Sequence, residues 1–185
     1  ACDAPAPGAG GATAGAATPG AAAAQRFLTA RERETVAVLV DYVIPRDERS
    51  GSATDAGVPE WMDAFLAHPD TEDELRAGIR GGLAWLDAEC ARRTGRSFAG
   101  AGDAERRALL DDIAYPARAP RGLGPGVAFF TRFRDLTASG FYSSRMGWAD
   151  LGYQGNVALP AWNGCPEAAL ARLGVRYDDA PPPRA

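Results

Sequence analysis

No lysine occurs anywhere in this 185-residue chain; all 20 of its basic residues are arginine. Against 24 acidic residues they leave a formal net charge of −4. There is no basic surplus to neutralise a phosphate backbone, which argues against a nucleic-acid partner. Any ion pair at this surface uses a planar, multiply donating guanidinium. Histidine is almost missing as well. His68 is the only one, so metal sites and His-based catalytic dyads have nothing to build on except that residue. Its position before Pro69, at a helix end, reads as a polar side chain beside exposed carbonyls. The cysteines Cys2, Cys90 and Cys165 are far apart, with no Cys-x-x-Cys pair and no haem-attachment motif. Zinc, iron–sulfur and c-type haem therefore lack a ligand set within this chain. No apolar run reaches the roughly 18 residues that a membrane-spanning helix needs. No segment alternates apolar and polar residues for long enough to argue a strand.

What is present begins oddly. Ala1-Cys2-Asp3 opens into an Ala/Gly/Pro/Thr stretch that reaches Ala24, with Asp3 its only charge. Such a stretch has too little large apolar surface to offset its ordering entropy, so residues 1–26 are expected to be a low-complexity tether. A cysteine at the head of a tether fits the lipidation site of a lipoprotein, with Cys2 acylated. It equally fits the ragged end of a removed export signal. Both readings imply export.

The folded part is expected over residues 27–175, with a polar, Pro-rich tail over 176–185. Thr29 and Glu32 form a capping box. Val36, Leu39, Val40, Val43 and Ile44 then recur at helical spacing until Pro45 stops them. Residues 46–57 read as a loop, and Pro59 suits the first turn of a second helix carrying Trp61, Phe65 and Leu66. Asp70 is expected to cap a longer helix with Leu75, Ile79, Leu83, Leu86 and Cys90 on its apolar face, closed by Gly95. Asp103 opens a fourth helix through Leu109, Leu110 and Ile113. Residues 115–126, rich in Pro, Arg and Gly, read as irregular. A fifth helix follows through Phe129, Phe130, Phe133 and Leu136 and is expected to end at Gly140. Residues 141–165, dense in glycine and aromatics, show neither period. A short last helix spans residues 167–173, closed by Gly174. The fold class is all-α: about five helices, with a long irregular C-terminal region.

Catalytic patterns are missing. Gly122-Leu123-Gly124-Pro125-Gly126 has no preceding strand, no following Lys-Ser/Thr, and a proline where a backbone N–H would be needed, so it is not a phosphate loop. Glu72-Asp73-Glu74 sits in a helix's first turn, where negative charge is stabilising anyway. Asp111 and Asp112 point different ways on a helix, and Ser143 and Ser144 have no base. The chain is therefore expected to be no enzyme and to hold no cofactor. Cys90 and Cys165 are expected to be bonded in an oxidising compartment. The alternative for Cys90 is a small core residue beside Leu86. Aromatics crowd the region after Tyr115, interleaved with Arg132, Arg134 and Arg145. Trp, Tyr and Arg dominate protein interfaces, so Phe129, Arg134, Phe141, Tyr142, Trp148, Tyr153 and Trp162 are the candidate partner-binding residues.

One family shares these strings. Phe27-Leu28-Thr29 with Glu32, Ile44-Pro45, Asp55-Ala56-Gly57-Val58, Phe129-Phe130 and Arg134 through Thr137 carry part of the likeness. The densest part is Gly140-Phe141-Tyr142-Ser143-Ser144, Gly147, Leu151-Gly152-Tyr153-Gln154-Gly155-Asn156 and Trp162-Asn163-Gly164-Cys165-Pro166. Over residues 27–175 the chain resembles the small (gamma) subunit, subunit 3, of membrane-bound gluconate 2-dehydrogenase, whose relatives serve FAD-dependent glucose and fructose dehydrogenases. The resemblance implies a non-catalytic accessory subunit with a twin-arginine export signal. It would bind a large flavoprotein of the glucose–methanol–choline type, beside a multihaem cytochrome c that takes the electrons. FAD and haem c would then lie in partner subunits, in a periplasmic, membrane-associated complex. The lipoprotein-like start leaves a second expectation open: a tethered scaffold subunit of another membrane redox or photosynthetic complex.

Overall fold

The computed structural model describes residues 26–153, 155 and 164–177; Cys2 and Trp162 lie outside the described residues. The chain divides into two compact units, Ala1–Gly152 and Tyr153–Ala185. The first holds helices α1 (Ala30–Val43), α2 (Val58–Ala67), α3 (Asp73–Thr94), α4 (Asp103–Ala114), α5 (Gly124–Tyr142) and α6 (Arg145–Leu151), with a 3-10 turn at Pro116–Arg118. The second holds α7 (Glu167–Leu173). The fold is all-α, with seven helices among the described residues.

Local chemistry sets most of the boundaries. Thr29 Oγ1 accepts from the Glu32 amide at 3.2 Å, and the Glu32 carboxylate accepts from the Thr29 amide at 2.7 Å, completing the expected capping box. Gly57, at φ 75°, makes the left-handed turn into α2 at no Cβ cost. The third helix starts at Asp73, not at Asp70. The Thr71 amide donates to the His68 carbonyl and its hydroxyl to the Phe65 carbonyl at 2.5 Å, so the residues around Asp70 finish α2 before α3 can begin.

The fifth helix is the hub, packed on α1, α2, α3, α4 and α6. It corrects the sequence reading at both ends, since Gly124 to Gly126 are helical and the helix passes through Gly140 to Tyr142. A Cβ on Gly126 would lie 2.1 Å from Trp85 Cη2, and one on Gly140 would lie 2.6 Å from Trp61 Cε3. These glycines are there to admit the aromatics of α3 and α2. That packing outweighs a helix-propensity cost of about 1 kcal/mol each. Gly82 of α3 answers in kind, its missing Cβ replaced by Phe129 at 1.9 Å.

The core gathers Val36, Leu39 and Val40 of α1, Met62 and Leu66 of α2, Ile79 and Leu86 of α3, Leu109 and Ile113 of α4, and Phe133 and Phe141 of α5. Cys90 belongs to it, 1% exposed, with Sγ 3.8 Å from Thr94 Oγ1. Cys90 lies in the first unit and Cys165, exposed, in the second, and each is a free thiol within its own unit. Cys90 is a small apolar filler on the same buried stripe as Leu83 and Leu86. In the second unit, α7 ends at Gly174 as expected, and none of its residues is buried.

Candidate partner-binding surface

The end of α5 and the whole of α6 form one tightly folded corner, in a stretch where the sequence shows no period. Ser144 caps α6: its hydroxyl donates to the Phe141 carbonyl at 2.6 Å and accepts from the Gly147 amide at 3.1 Å. Gly147 is buried because a Cβ there would stand 2.2 Å from the Phe141 carbonyl oxygen. No larger residue lets α6 press so closely against the end of α5. Met146 packs inward against the core. Trp148 and Leu151 face outward, 47% and 62% exposed. Tyr142 stands 40% exposed, edge-on to the buried ring of Phe141 at 5.2 Å.

The loop between α1 and α2 braces this corner. Arg49 donates to the Asp150 carbonyl, and its Nε lies 3.3 Å from the Asp150 carboxylate. The loop holds its own shape through two aspartates. Asp47 accepts from the amides of Ser50 and Arg49, both at 2.8 Å. Asp55 accepts from the Ser52 amide at 2.8 Å and from Arg46 at 2.6 Å. Hydrogen bonds from Ser50, then Arg49, lower the Asp47 carboxyl below its usual range, and those from Ser52 do so at Asp55. The exposed aromatics of this corner therefore stand on fixed backbone, which lowers the entropy lost when such side chains dock.

Two of the candidate binding residues do not belong to any surface. Phe129 is 4% exposed, seated against Gly82, and Phe141 is 0% exposed. Both are core residues, because they fall on the side of α5 that its neighbours cover. Arg134 is exposed and pairs with Asp135 at 3.1 Å. Tyr142 and Trp148 both stand exposed, one at the end of α5 and the other on α6. Tyr153 is 56% exposed at the head of the second unit. Sequence reasoning missed Leu151, which belongs to a helix too short to show periodicity. It also missed Phe65, 38% exposed and stacked on Trp61 at 5.1 Å. His68 ends α2 as expected, its Nδ1 accepting from the Asp70 amide at 3.3 Å. Among the described residues no group of three His, Cys, Asp or Glu side chains is placed to hold a metal ion, and no helix is long and apolar enough to cross a membrane.

The family model for gluconate 2-dehydrogenase subunit 3 matches residues 30–159, which takes in all of α1 to α6. No curated protein and no solved structure matches the chain significantly.

Proposed function

The chain belongs to the gluconate 2-dehydrogenase subunit 3 family, and we propose that it is the non-catalytic accessory subunit of a periplasmic FAD-dependent sugar or sugar-acid dehydrogenase. It binds and stabilises a large flavoprotein of the glucose–methanol–choline type. FAD belongs to that partner, and haem c to a cytochrome subunit that takes up the electrons. The complex is held at the membrane by the partner, by a lipid on Cys2, or by both. Export by the twin-arginine route fits a subunit that crosses together with a folded, cofactor-loaded flavoprotein.

The observation that carries this reading is the α5–α6 corner. It lies inside the family match and presents Tyr142, Trp148 and Leu151 to solvent on a braced backbone. Aromatic anchors of this kind dominate interface energetics, and their truncation commonly costs more than about 2 kcal/mol of binding. The test is co-expression with the flavoprotein subunit of the same organism, comparing the parent with Trp148→Ala. Affinity is expected to fall by about tenfold or more while the melting temperature of the isolated subunit stays close to the parent value. A parent chain that fails to associate with the flavoprotein, or a Trp148→Ala chain that binds as tightly as the parent, refutes the reading. Mass spectrometry of complexes purified from native membranes identifies the host assembly directly, a photosynthetic one included.

A further inference from the structure

A groove runs over α5 between the end of α2 and the start of α3. Its floor is apolar. Phe65 stands at one end, then comes the half-buried Leu75, then Leu136 on α5. Two depressions adjoin here, sharing Glu72 and Leu75 in their walls. Phe65 cannot sink into the core, because Trp61 already fills the space above Gly140 and Phe65 stacks on its outer face. The hydrogen bond from Thr71 to the Phe65 carbonyl fixes the turn beside it.

The rim is acidic. Asp70, Glu72, Glu74 and Asp135 line the groove against a single guanidinium, Arg132. Arg132 is engaged with Glu74 at 2.9 Å, and Asp135 pairs with Arg134. Among the described residues the carboxylates of Asp70 and Glu72 meet no arginine. Asp70 lies 3.8 Å from His68 Nδ1 and Glu72 is the N-cap residue of α3, where negative charge suits the helix terminus; both also stand exposed beside the apolar floor. On α5, Asp135, Ser139 and Tyr142 are spaced i, i+4, i+7, so the groove leads along one helix face to the aromatic corner.

Resting on the functional reading above, we propose that this groove receives a basic amphipathic segment of the dehydrogenase subunit. Its apolar side chains would seat on Phe65, Leu75 and Leu136, and its Arg or Lys side chains would meet Asp70 and Glu72. An elongated apolar floor suits anchors spaced along a helix or an extended segment. Carboxylates along one edge select the sign of the partner's charge, and such complementarity governs register and association rate. The groove and the Trp148 corner are then two parts of one interface, joined through α5.

The test measures binding of the co-expressed flavoprotein subunit at low and high salt. Asp70→Lys with Glu72→Lys removes the Asp70 contact with His68 and reverses charge at the N-terminus of α3, so melting is measured beside binding and the neutral pair Asp70→Asn with Glu72→Gln is run as the control. The charge-reversed double variant is expected to weaken association by about tenfold or more at low salt, and by much less at high salt, where screening removes the charge effect. Phe65→Ser is expected to weaken it at both salt concentrations. Trp148→Ala serves as the reference. If Trp148→Ala loses the partner while both groove variants bind like the parent, the groove proposal is overturned and the functional reading survives. If the parent itself does not bind the flavoprotein, both fall. If instead the parent forms a dimer in light scattering that the groove variants dissociate, the occupant is a second copy of this chain, which also overturns the proposal.

Discussion

Gly126 on α5 lies directly under Trp85 on α3, so that a Cβ built on the glycine would come within 2.1 Å of the indole. The half-buried Trp85 ring covers the helix start that the Pro and Gly content disguises. Gly126→Ala is expected to destabilise the subunit even though alanine is the better helix former by about 1 kcal/mol. Pushing the indole aside, or parting α3 from α5, costs about 1–3 kcal/mol and wins. Thermal unfolding decides the sign. A variant that melts higher than the parent would mean that the ring gives way freely.

Asp63 on α2 anchors the point at which the chain enters the fold. Its Oδ1 accepts from the amides of Phe27 at 2.8 Å and Leu28 at 2.7 Å, and the residue is 6% exposed. Arg33 donates to the Leu28 carbonyl and Arg80 to that of Phe27. Asp63→Ala leaves two amides without their acceptor and is expected to cost about 1–3 kcal/mol. That corresponds to a fall in melting temperature of several degrees for a domain of this size. Tryptic cleavage after Arg26 should accelerate in the variant. Unchanged melting and unchanged cleavage would show that the contact contributes nothing.

The Glu89 carboxyl is lowered to about 2 by hydrogen bonds from Arg92, then Arg93. Arg93 also reaches Asp112 at 2.7 Å, tying α3 to α4. In the unfolded chain the carboxyl titrates at its ordinary value near 4.5, so the unfolded state takes up the proton first as pH falls. The stabilisation is complete above that value and is lost progressively as pH falls towards about 2. Glu89→Gln should therefore melt below the parent at neutral pH, with the gap closing as the buffer is acidified. A gap independent of pH would contradict the assignment.

Cys90 should resist thiol reagents in the native protein, because it is 1% exposed, whereas the exposed Cys165 should react at once. Denaturant should bring the Cys90 signal up to full stoichiometry. Two unreactive thiols that appear only after reduction would show that Cys90 and Cys165 are bonded in the exported protein.

Helix formation was legible wherever a helix is long and amphipathic with its own caps. Thr29 with Glu32, Pro59, Gly95 and Asp103 mark their boundaries through local hydrogen bonding and backbone sterics that need no partner. The α6 helix was not legible. Its seven residues are too few for a period, and Gly147 is meaningful only against the Phe141 carbonyl. The aromatic list divides in the same way. Phe141 and Tyr142 are adjacent and chemically alike, yet one is wholly buried and the other exposed.

Composition and pattern alone therefore determined an all-α chain without lysine, and they placed its aromatic wealth after Tyr115. Only the tertiary structure decided which of those aromatics are core and which are surface. Burial of a side chain on α5 depends on which neighbours cover that face, and those neighbours lie tens of residues away in sequence. The same packing made Gly126 and Gly140 helical. A glycine next to an incoming indole is selected for what it lacks, and no local propensity records the arrival of the other ring.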